Sequence, residues 1–215
     1  MPDRLAVEYL SKEYDSFLAL SPSSFVINPG EIVMLCGPNG SGKTTLLSCM
    51  AGLIRSSEGT VKVSGFELYK DEVEVHRRLA FVPDVPRFYL ELTAWEHLSF
   101  IAMANHALDG FEARAESLLS RLDLWKVRQL FPHHYSRGMR LKLGLALALI
   151  RPFEVLLLDE PTSALDQQGI AMLLNELQRL RGEGVSVLLS SHDPQRIAHL
   201  ADRQMQIRHG VLEEV

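Results

Sequence analysis

Residues 37–45 read Gly37-Pro38-Asn39-Gly40-Ser41-Gly42-Lys43-Thr44-Thr45. They satisfy the phosphate-loop pattern G-x-x-x-x-G-K-[ST]. The apolar run from Ile32 to Cys36 precedes them and is typical of a buried strand, and residues 45–51 are typical of a helix that ends at Gly52. A strand, a glycine-rich loop and a helix in this order predict a site for the phosphates of a nucleotide.

The residue types in this loop have separate roles in phosphate binding. Glycine lets the backbone curl around an anion, so that successive N–H groups and the helix N-terminus point at the phosphates. Lys43 adds a positive charge for the β and γ phosphates, and the Thr44 hydroxyl is placed to bind Mg²⁺. We therefore predict that all of residues 37–45 bind the nucleotide.

Acidic and imidazole side chains follow two other apolar strands. Asp159 and Glu160 come directly after residues 155–158, and ligands of parallel sheets bind at the carboxyl ends of strands. Asp159 can hold Mg²⁺, whereas Glu160 can act as the general base for an attacking water. His192 follows the strand predicted at residues 185–189, where it can hydrogen-bond a phosphoryl oxygen or orient Glu160.

Composition limits the class of protein. A length of 215 residues suits one α/β domain with an insertion, and a net charge of −5 argues against nucleic acid as a partner. Cys36 and Cys49 lie in apolar segments and are expected to be buried and reduced, as in a cytoplasmic protein. Residues 1–4 lack the pattern of a signal peptide, and the longest apolar run, Leu143 to Ile150, is too short to cross a bilayer. Any role at a membrane therefore requires a partner.

The order of strand and helix signals predicts the fold class. Strands and helices alternate in residues 1–84 and 151–215, with antiparallel strands beside the phosphate-loop strand, and strand signals vanish in residues 85–150. We predict a single α/β domain with the sheet of a P-loop NTPase, an antiparallel β subdomain and an inserted α-helical subdomain. A helix is predicted at residues 194–200, and a terminal hairpin is predicted around His209-Gly210.

A third motif identifies the family that these patterns resemble. Residues 135–140, which open a predicted helix, resemble the Leu-Ser-Gly-Gly-Gln signature of ATP-binding cassette (ABC) transporter ATPases. Ser136 and Gly138 match the signature, whereas Tyr135, Arg137 and Met139 depart from it. In the family this motif contacts the γ-phosphate bound by the other subunit. The resemblance therefore implies a head-to-tail dimer that encloses two ATP molecules, with Ser136, Arg137 and Gly138 at the interface.

Other positions take their roles from the same resemblance. Ser163 to Asp166 is similar to the D-loop, which places Asp166 at the dimer interface. Tyr14 resembles the aromatic residue that stacks on adenine, although Phe17 is nearby and the alternative is that Tyr14 is a core residue. Asp84 stands where the family has the glutamine of the Q-loop, and its carboxylate could face Mg²⁺ or the attacking water.

The resemblance implies an ATPase subunit that hydrolyses MgATP in a homodimer and drives a separate transmembrane permease. The signature variant is similar to the exporter-like, ABC-2-type branch, and the subunit would lie on the inner face of the cell membrane through the permease. Phe88, Tyr89 or Trp95 could contact the permease. The alternative is a soluble ABC-type ATPase that acts as a scaffold, for example in cluster assembly. A small-molecule kinase would leave Ser136 and His192 unexplained.

Overall fold

The computed structural model describes residues 3–214. Residues 1, 2 and 215 lie outside it, and so does part of the N-terminal segment on which the signal-peptide interpretation depends. The strands of the described part are β1 (Leu5–Tyr14), β2 (Phe17–Ile27), β3 (Ile32–Cys36), β4 (Glu58–Val63), β5 (Phe66–Glu67), β6 (Leu79–Val82), β7 (Val155–Leu158), β8 (Ser186–Ser191), β9 (Arg203–Arg208) and β10 (Val211–Glu214). The α-helices are α1 (Lys43–Met50), α2 (Glu72–Arg78), α3 (Ala94–Ala104), α4 (Phe111–Arg121), α5 (Arg137–Leu149) and α6 (Gln167–Gly182).

A six-stranded sheet in the order β10-β9-β3-β8-β7-β6 carries the phosphate loop. Its strands β9, β3, β8, β7 and β6 are parallel, and every residue of β3, β7 and β8 is buried. Such uninterrupted burial explains why these strands are continuous apolar runs rather than alternating patterns. Parallel pairing also brings the carboxyl ends of β3, β7 and β8 to one edge of the sheet.

A four-stranded antiparallel sheet, β2-β1-β4-β5, packs beside the parallel sheet, as the sequence predicted. Strands β1 and β2 are longer than the predicted strands at residues 5–10 and 24–27 because they continue into a hairpin that turns between Tyr14 and Phe17. The outer half of this hairpin contains polar residues that interrupt the alternation of apolar and polar side chains, so the sequence did not predict a strand there. The extension carries Phe17 and Leu18 to the edge of the sheet where the phosphate loop lies.

Helices α3, α4 and α5 all lie between residues 85 and 150, where the sequence predicted helices. The capping box at α3 is confirmed: Thr93 Oγ1 accepts from Glu96 N at 3.2 Å, and Thr93 N donates to Glu96 Oε2 at 2.8 Å. Trp95 packs edge-on against Phe111 and Trp125, with ring centroids 5.2 and 6.0 Å apart, so it belongs to the core. The subdomain boundaries at residues 84 and 150 stay a prediction.

The C-terminal part departs from the prediction in one place. The helix predicted at residues 194–200 is wrong: this segment forms two short 3₁₀ turns, Pro194–Arg196 and Ala198–Leu200. Ile197 separates them with φ −135° and buries its side chain, which interrupts a regular helix. The terminal hairpin is confirmed as β9 and β10.

Two expectations from composition also have structural counterparts. Cys36 and Cys49 are buried and unpaired, and burial raises the pKa of the Cys49 thiol to about 11. Burial likewise raises the pKa of Cys36, with the charge of Lys43 acting in the opposite direction. Among residues 3–214, no helix combines the length and the apolar character needed to span a membrane.

Candidate functional site

A cavity of about 500 Å³ lies at the carboxyl edge of the parallel sheet. It opens over the N-terminus of α1, where backbone N–H groups and the helix dipole favour an anion. Its lining comprises Phe17, Leu18, Ala19, Asn39, Gly40, Ser41, Gly42, Lys43, Thr44, Thr45, Asp84, Asp159, Glu160, His209 and Gly210. Most of the predicted nucleotide-binding residues are therefore brought together in one place.

The phosphate loop has a backbone that only glycine permits at two positions. A Cβ atom at Gly37 would lie 2.3 Å from the carbonyl oxygen of Ile207, and Gly42 has φ +111°. Lys43 is only 6% exposed, and its ammonium group donates to the carbonyl oxygens of Gly37 at 2.7 Å and Pro38 at 3.2 Å. The lysine charge is thus fixed directly beneath the loop.

Thr44 and Asp159 meet at the base of the cavity. Thr44 Oγ1 donates to Asp159 Oδ2 at 2.7 Å, and Ser190 Oγ donates to Asp159 Oδ1 at 2.6 Å. A hydroxyl and a carboxylate at this separation offer the hard oxygen donors that Mg²⁺ takes, and Mg²⁺ commonly completes its shell with substrate phosphates and water. These donors fit the ion. The role of Ser190 could not be predicted from the sequence, because a serine inside a strand carries no signal of the contact it makes.

Glu160 is held between two other predicted site residues. Its Oε2 atom lies 2.7 Å from His192 Nδ1, and its Oε1 atom lies 3.1 Å from Lys43 Nζ without hydrogen-bond geometry. The Glu160 backbone has φ +47°, which is costly for a residue with a side chain, and its N–H donates to Ser190 Oγ at 2.8 Å. The surrounding contacts stabilise a strained conformation that presents this carboxylate to the cavity.

Asp84 lines the cavity as predicted, but its carboxylate is already engaged. Arg137 Nη2 donates to both of its oxygens, at 3.0 and 3.2 Å, and Ser163 Oγ donates to Oδ1 at 2.5 Å. This connection could not be predicted from the sequence, because the three residues come from distant segments. Whether Asp84 faces Mg²⁺ stays a prediction.

The signature residues lie away from the cavity of their own chain. Ser136 caps α5 by accepting from Met139 N at 3.2 Å, and a Cβ atom at Gly138 would lie 2.8 Å from the carbonyl oxygen of Ala164. Asp166 caps α6 by accepting from Gly169 N at 2.7 Å. The roles of Ser136, Arg137, Gly138 and Asp166 at a dimer interface stay predictions.

The aromatic residue that lines the cavity is Phe17 rather than Tyr14, which was predicted to stack on adenine. Phe17 is 67% exposed and lines the cavity, whereas Tyr14 is outside the lining and lies 4.7 Å below the ammonium group of Lys12. His209 and Gly210 from the terminal hairpin also line the cavity, and no sequence pattern predicted either contact. Whether Tyr14 stacks on a base stays a prediction.

Three comparisons with known proteins agree with this geometry. The ABC transporter family model matches residues 20–163. The chain is 34% identical over 209 residues to the SkfA peptide export ATP-binding protein SkfE of Bacillus subtilis, covering 97% of this chain and 87% of the relative. It is 32% identical over 213 residues to the sulfate/thiosulfate import ATP-binding protein CysA of Synechococcus elongatus, covering 98% and 62%. The fold matches a dimeric structure of a bacterial ABC transporter cassette with a TM-score of 0.88 and 25% identity, covering 98% of each chain.

Proposed function

The chain belongs to the ABC transporter family, and from that membership we propose that it hydrolyses MgATP between two subunits and so drives a separate transmembrane permease that exports its substrate. The observation that carries the proposal is the convergence of Lys43, Thr44, Asp159 and Glu160 on one cavity over the N-terminus of α1, with His192 in contact with Glu160. Separately, these residue types are common; together they are the parts that phosphoryl transfer to water requires.

The metal site is proposed from the oxygen donors at the base of the cavity. Thr44 Oγ1 and Asp159 Oδ2 would hold Mg²⁺, with Ser190 fixing the orientation of the Asp159 carboxylate. When bound, Mg²⁺ neutralises charge on the phosphates and helps to align them. An oriented carboxylate in a buried position loses little further freedom on binding the ion, which supports this assignment.

The chemical step is assigned to Glu160. Its carboxylate accepts a proton from water as the water oxygen bonds to the γ-phosphorus, while the bond to the β-γ bridging oxygen breaks and ADP leaves. Lys43 and the loop N–H groups stabilise the negative charge on the phosphates. His192 holds Glu160 through the 2.7 Å contact, and its half-exposed ring can reach a phosphoryl oxygen.

The partner surfaces are proposed on two other faces. Ser136 and Gly138 at the N-terminus of α5 would meet the γ-phosphate bound by a second copy of the chain. A groove of about 440 Å³ between β6, α3 and α5 is lined by apolar residues that include Phe88, Ile101 and Leu147 and by polar residues that include Arg87 and Arg151, and exposed Tyr89 lies beside it. This groove suits an apolar helical segment of the permease, which would hold the subunit at the inner face of the membrane.

The direction of transport is proposed as export on the basis of one relative and one motif. The peptide export protein is 34% identical to this chain, and the signature departs from the family pattern as in exporter-like members. The import protein is 32% identical, so the ATPase residues themselves are shared by both directions. Direction is a property of the permease.

The substitution Glu160→Gln tests the assigned chemistry. We expect steady-state ATP hydrolysis to fall by at least about 100-fold, because general-base catalysis contributes on the order of 10²–10⁴ in rate. Binding of a fluorescent ATP analogue should be retained, because the amide leaves the phosphate loop intact. A variant that hydrolysed ATP at the wild-type rate would remove Glu160 from the mechanism.

Co-purification of the wild-type chain with a polytopic membrane protein would support transport over the scaffold alternative.

A further inference from the structure

Asp84 reaches the nucleotide cavity from the loop after β6, and two other segments of the chain hold its carboxylate. Arg137 comes from the first turn of α5, and Ser163 comes from the turn after β7. Arg137 Nη2 also donates to Ser163 Oγ at 3.2 Å, so each of the three side chains hydrogen-bonds the other two. A closed set of this kind fixes the Asp84 carboxylate at the cavity wall.

The cavity has a large amount of negative charge even before a nucleotide enters. Asp84, Asp159 and Glu160 all line it. Glu160 is matched by the Lys43 ammonium group at 3.1 Å, and Asp159 by two hydroxyl donors. Asp84 is matched by Arg137, which is not part of the cavity lining and approaches the carboxylate from outside.

A triphosphate beside an uncompensated carboxylate would be repelled, because like charges interact unfavourably over several ångströms in a partly buried site. Positions 84 and 137 are also two of the positions where this chain departs from the family pattern. We propose that Arg137 is a positioning residue for ATP binding: its charge cancels that of Asp84, and its hydrogen bonds hold the carboxylate, so that ATP binds beside an acidic side chain without repulsion. The inference rests on the proposed function, since it takes the cavity as the ATP site.

Asp84 would then lie beside the phosphates without making a contact that ATP binding requires. Removing the arginine should therefore harm binding only while the carboxylate is charged. Removing the carboxylate should restore binding, because an amide can still accept from Ser163 without repelling phosphate. If Arg137 acted only by joining the segments, the double variant should bind ATP as weakly as Arg137→Gln does, because the contact between the segments is broken in both.

The test is a titration of the 215-residue chain with a fluorescent ATP analogue in EDTA, so that neither metal binding nor turnover contributes. Arg137→Gln should weaken binding about threefold to tenfold, the size expected for one partly screened like-charge contact. Asp84→Asn should bind at least as tightly as wild type, and the double variant should bind as Asp84→Asn does. The defect of Arg137→Gln should shrink at high salt, which screens the repulsion.

Lys142→Gln is the matched control, because it removes a positive charge from the same helix, outside the signature motif, without touching Asp84. It should bind as wild type does, and thermal melting should show that all four variants are folded. An Arg137→Gln variant that binds normally, or a double variant as weak as Arg137→Gln, would overturn the inference. Failure of the wild-type chain to bind the analogue would instead overturn the assignment of the cavity as the ATP site.

Discussion

The Glu160 side chain is oriented by contacts with other residues of the site. Glu160 has a left-handed backbone, yet Ser190, Lys43 and His192 hold it from three directions. Strain at a residue is maintained only where its surroundings over-determine its position, and here those surroundings are other site residues. The proposed general base is therefore positioned before the substrate arrives, which lowers the reorganisation that catalysis requires.

At the residue scale, Phe17 and Tyr14 can be distinguished by substitution. Phe17→Ala should weaken ATP binding about fivefold or more, because stacking of a base on an aromatic ring contributes on the order of 1–3 kcal/mol. Tyr14→Ala, the matched control, should change affinity less than twofold, since its ring faces Lys12 rather than the cavity. Isothermal titration with ATP measures both. A larger loss of ATP affinity for Tyr14→Ala than for Phe17→Ala would instead support the prediction that Tyr14 stacks on adenine.

At the scale of elements, two hairpins support the phosphate loop. The N–H of Gly210, in the β9–β10 turn, donates to the Ser41 carbonyl oxygen at 2.9 Å, and its own carbonyl accepts from Ser21 N in β2 at 2.8 Å. The β1–β2 hairpin also places the Ala19 carbonyl oxygen 3.0 Å from where a Cβ atom at Gly42 would lie. The loop thus contacts both sheets, and these contacts hold its backbone in place although it is rich in glycine.

The helix caps give a prediction at the same scale. Ser136→Ala and Thr93→Ala each remove a side-chain N-cap, and each should lower the free energy of unfolding by about 1 kcal/mol. Only Ser136→Ala should also lower the ATPase rate, because Ser136 is proposed to meet phosphate in the dimer. Urea denaturation and a steady-state ATPase assay at saturating ATP provide the two readouts. Equal loss of activity in both variants would reduce Ser136 to a structural cap.

At the scale of the whole molecule, ion pairs connect the helices of residues 85–150 to the parallel sheet and its flanking helix. Arg121 of α4 donates to Glu176 of α6 at 2.6 Å, and Glu176 is only 5% exposed. Arg137 of α5 bonds Asp84 on the far side. A buried carboxylate needs its partner more than an exposed one does, so the Arg121 contact constrains how these helices sit on α6.

Assembly is the prediction that belongs to the whole molecule. Glu160→Gln with MgATP should shift from the mass of a single chain to twice that mass in light scattering, because bound ATP that is not hydrolysed holds the two subunits together. The same variant with Lys43→Ala added should remain a single chain, since the buried ammonium group beneath the loop is lost. A Glu160→Gln protein that stayed monomeric at millimolar MgATP would contradict the proposed dimer.

Much of the chemistry could be predicted from local patterns. The phosphate loop, Asp159, Glu160 and His192 are each fixed by a strand or turn within a few residues, and parallel strands necessarily bring their carboxyl ends together. The capping box of α3 and the terminal hairpin were equally local. The prediction of a helix at residues 194–200 was wrong because tertiary contacts bury Ile197, and such contacts override helix propensity.

Residue types and spacing alone predicted the α/β class, the phosphate loop and the acids beside it, because each depends on contacts between near neighbours in the chain. Folding in three dimensions settled which aromatic residue lines the cavity, that Ser190 orients Asp159, and that Arg137 neutralises Asp84 across 53 residues of sequence. No periodicity encodes such pairs. They exist because separate segments converge at one edge of the sheet, where opposite charges and hydrogen-bond partners must be matched side by side.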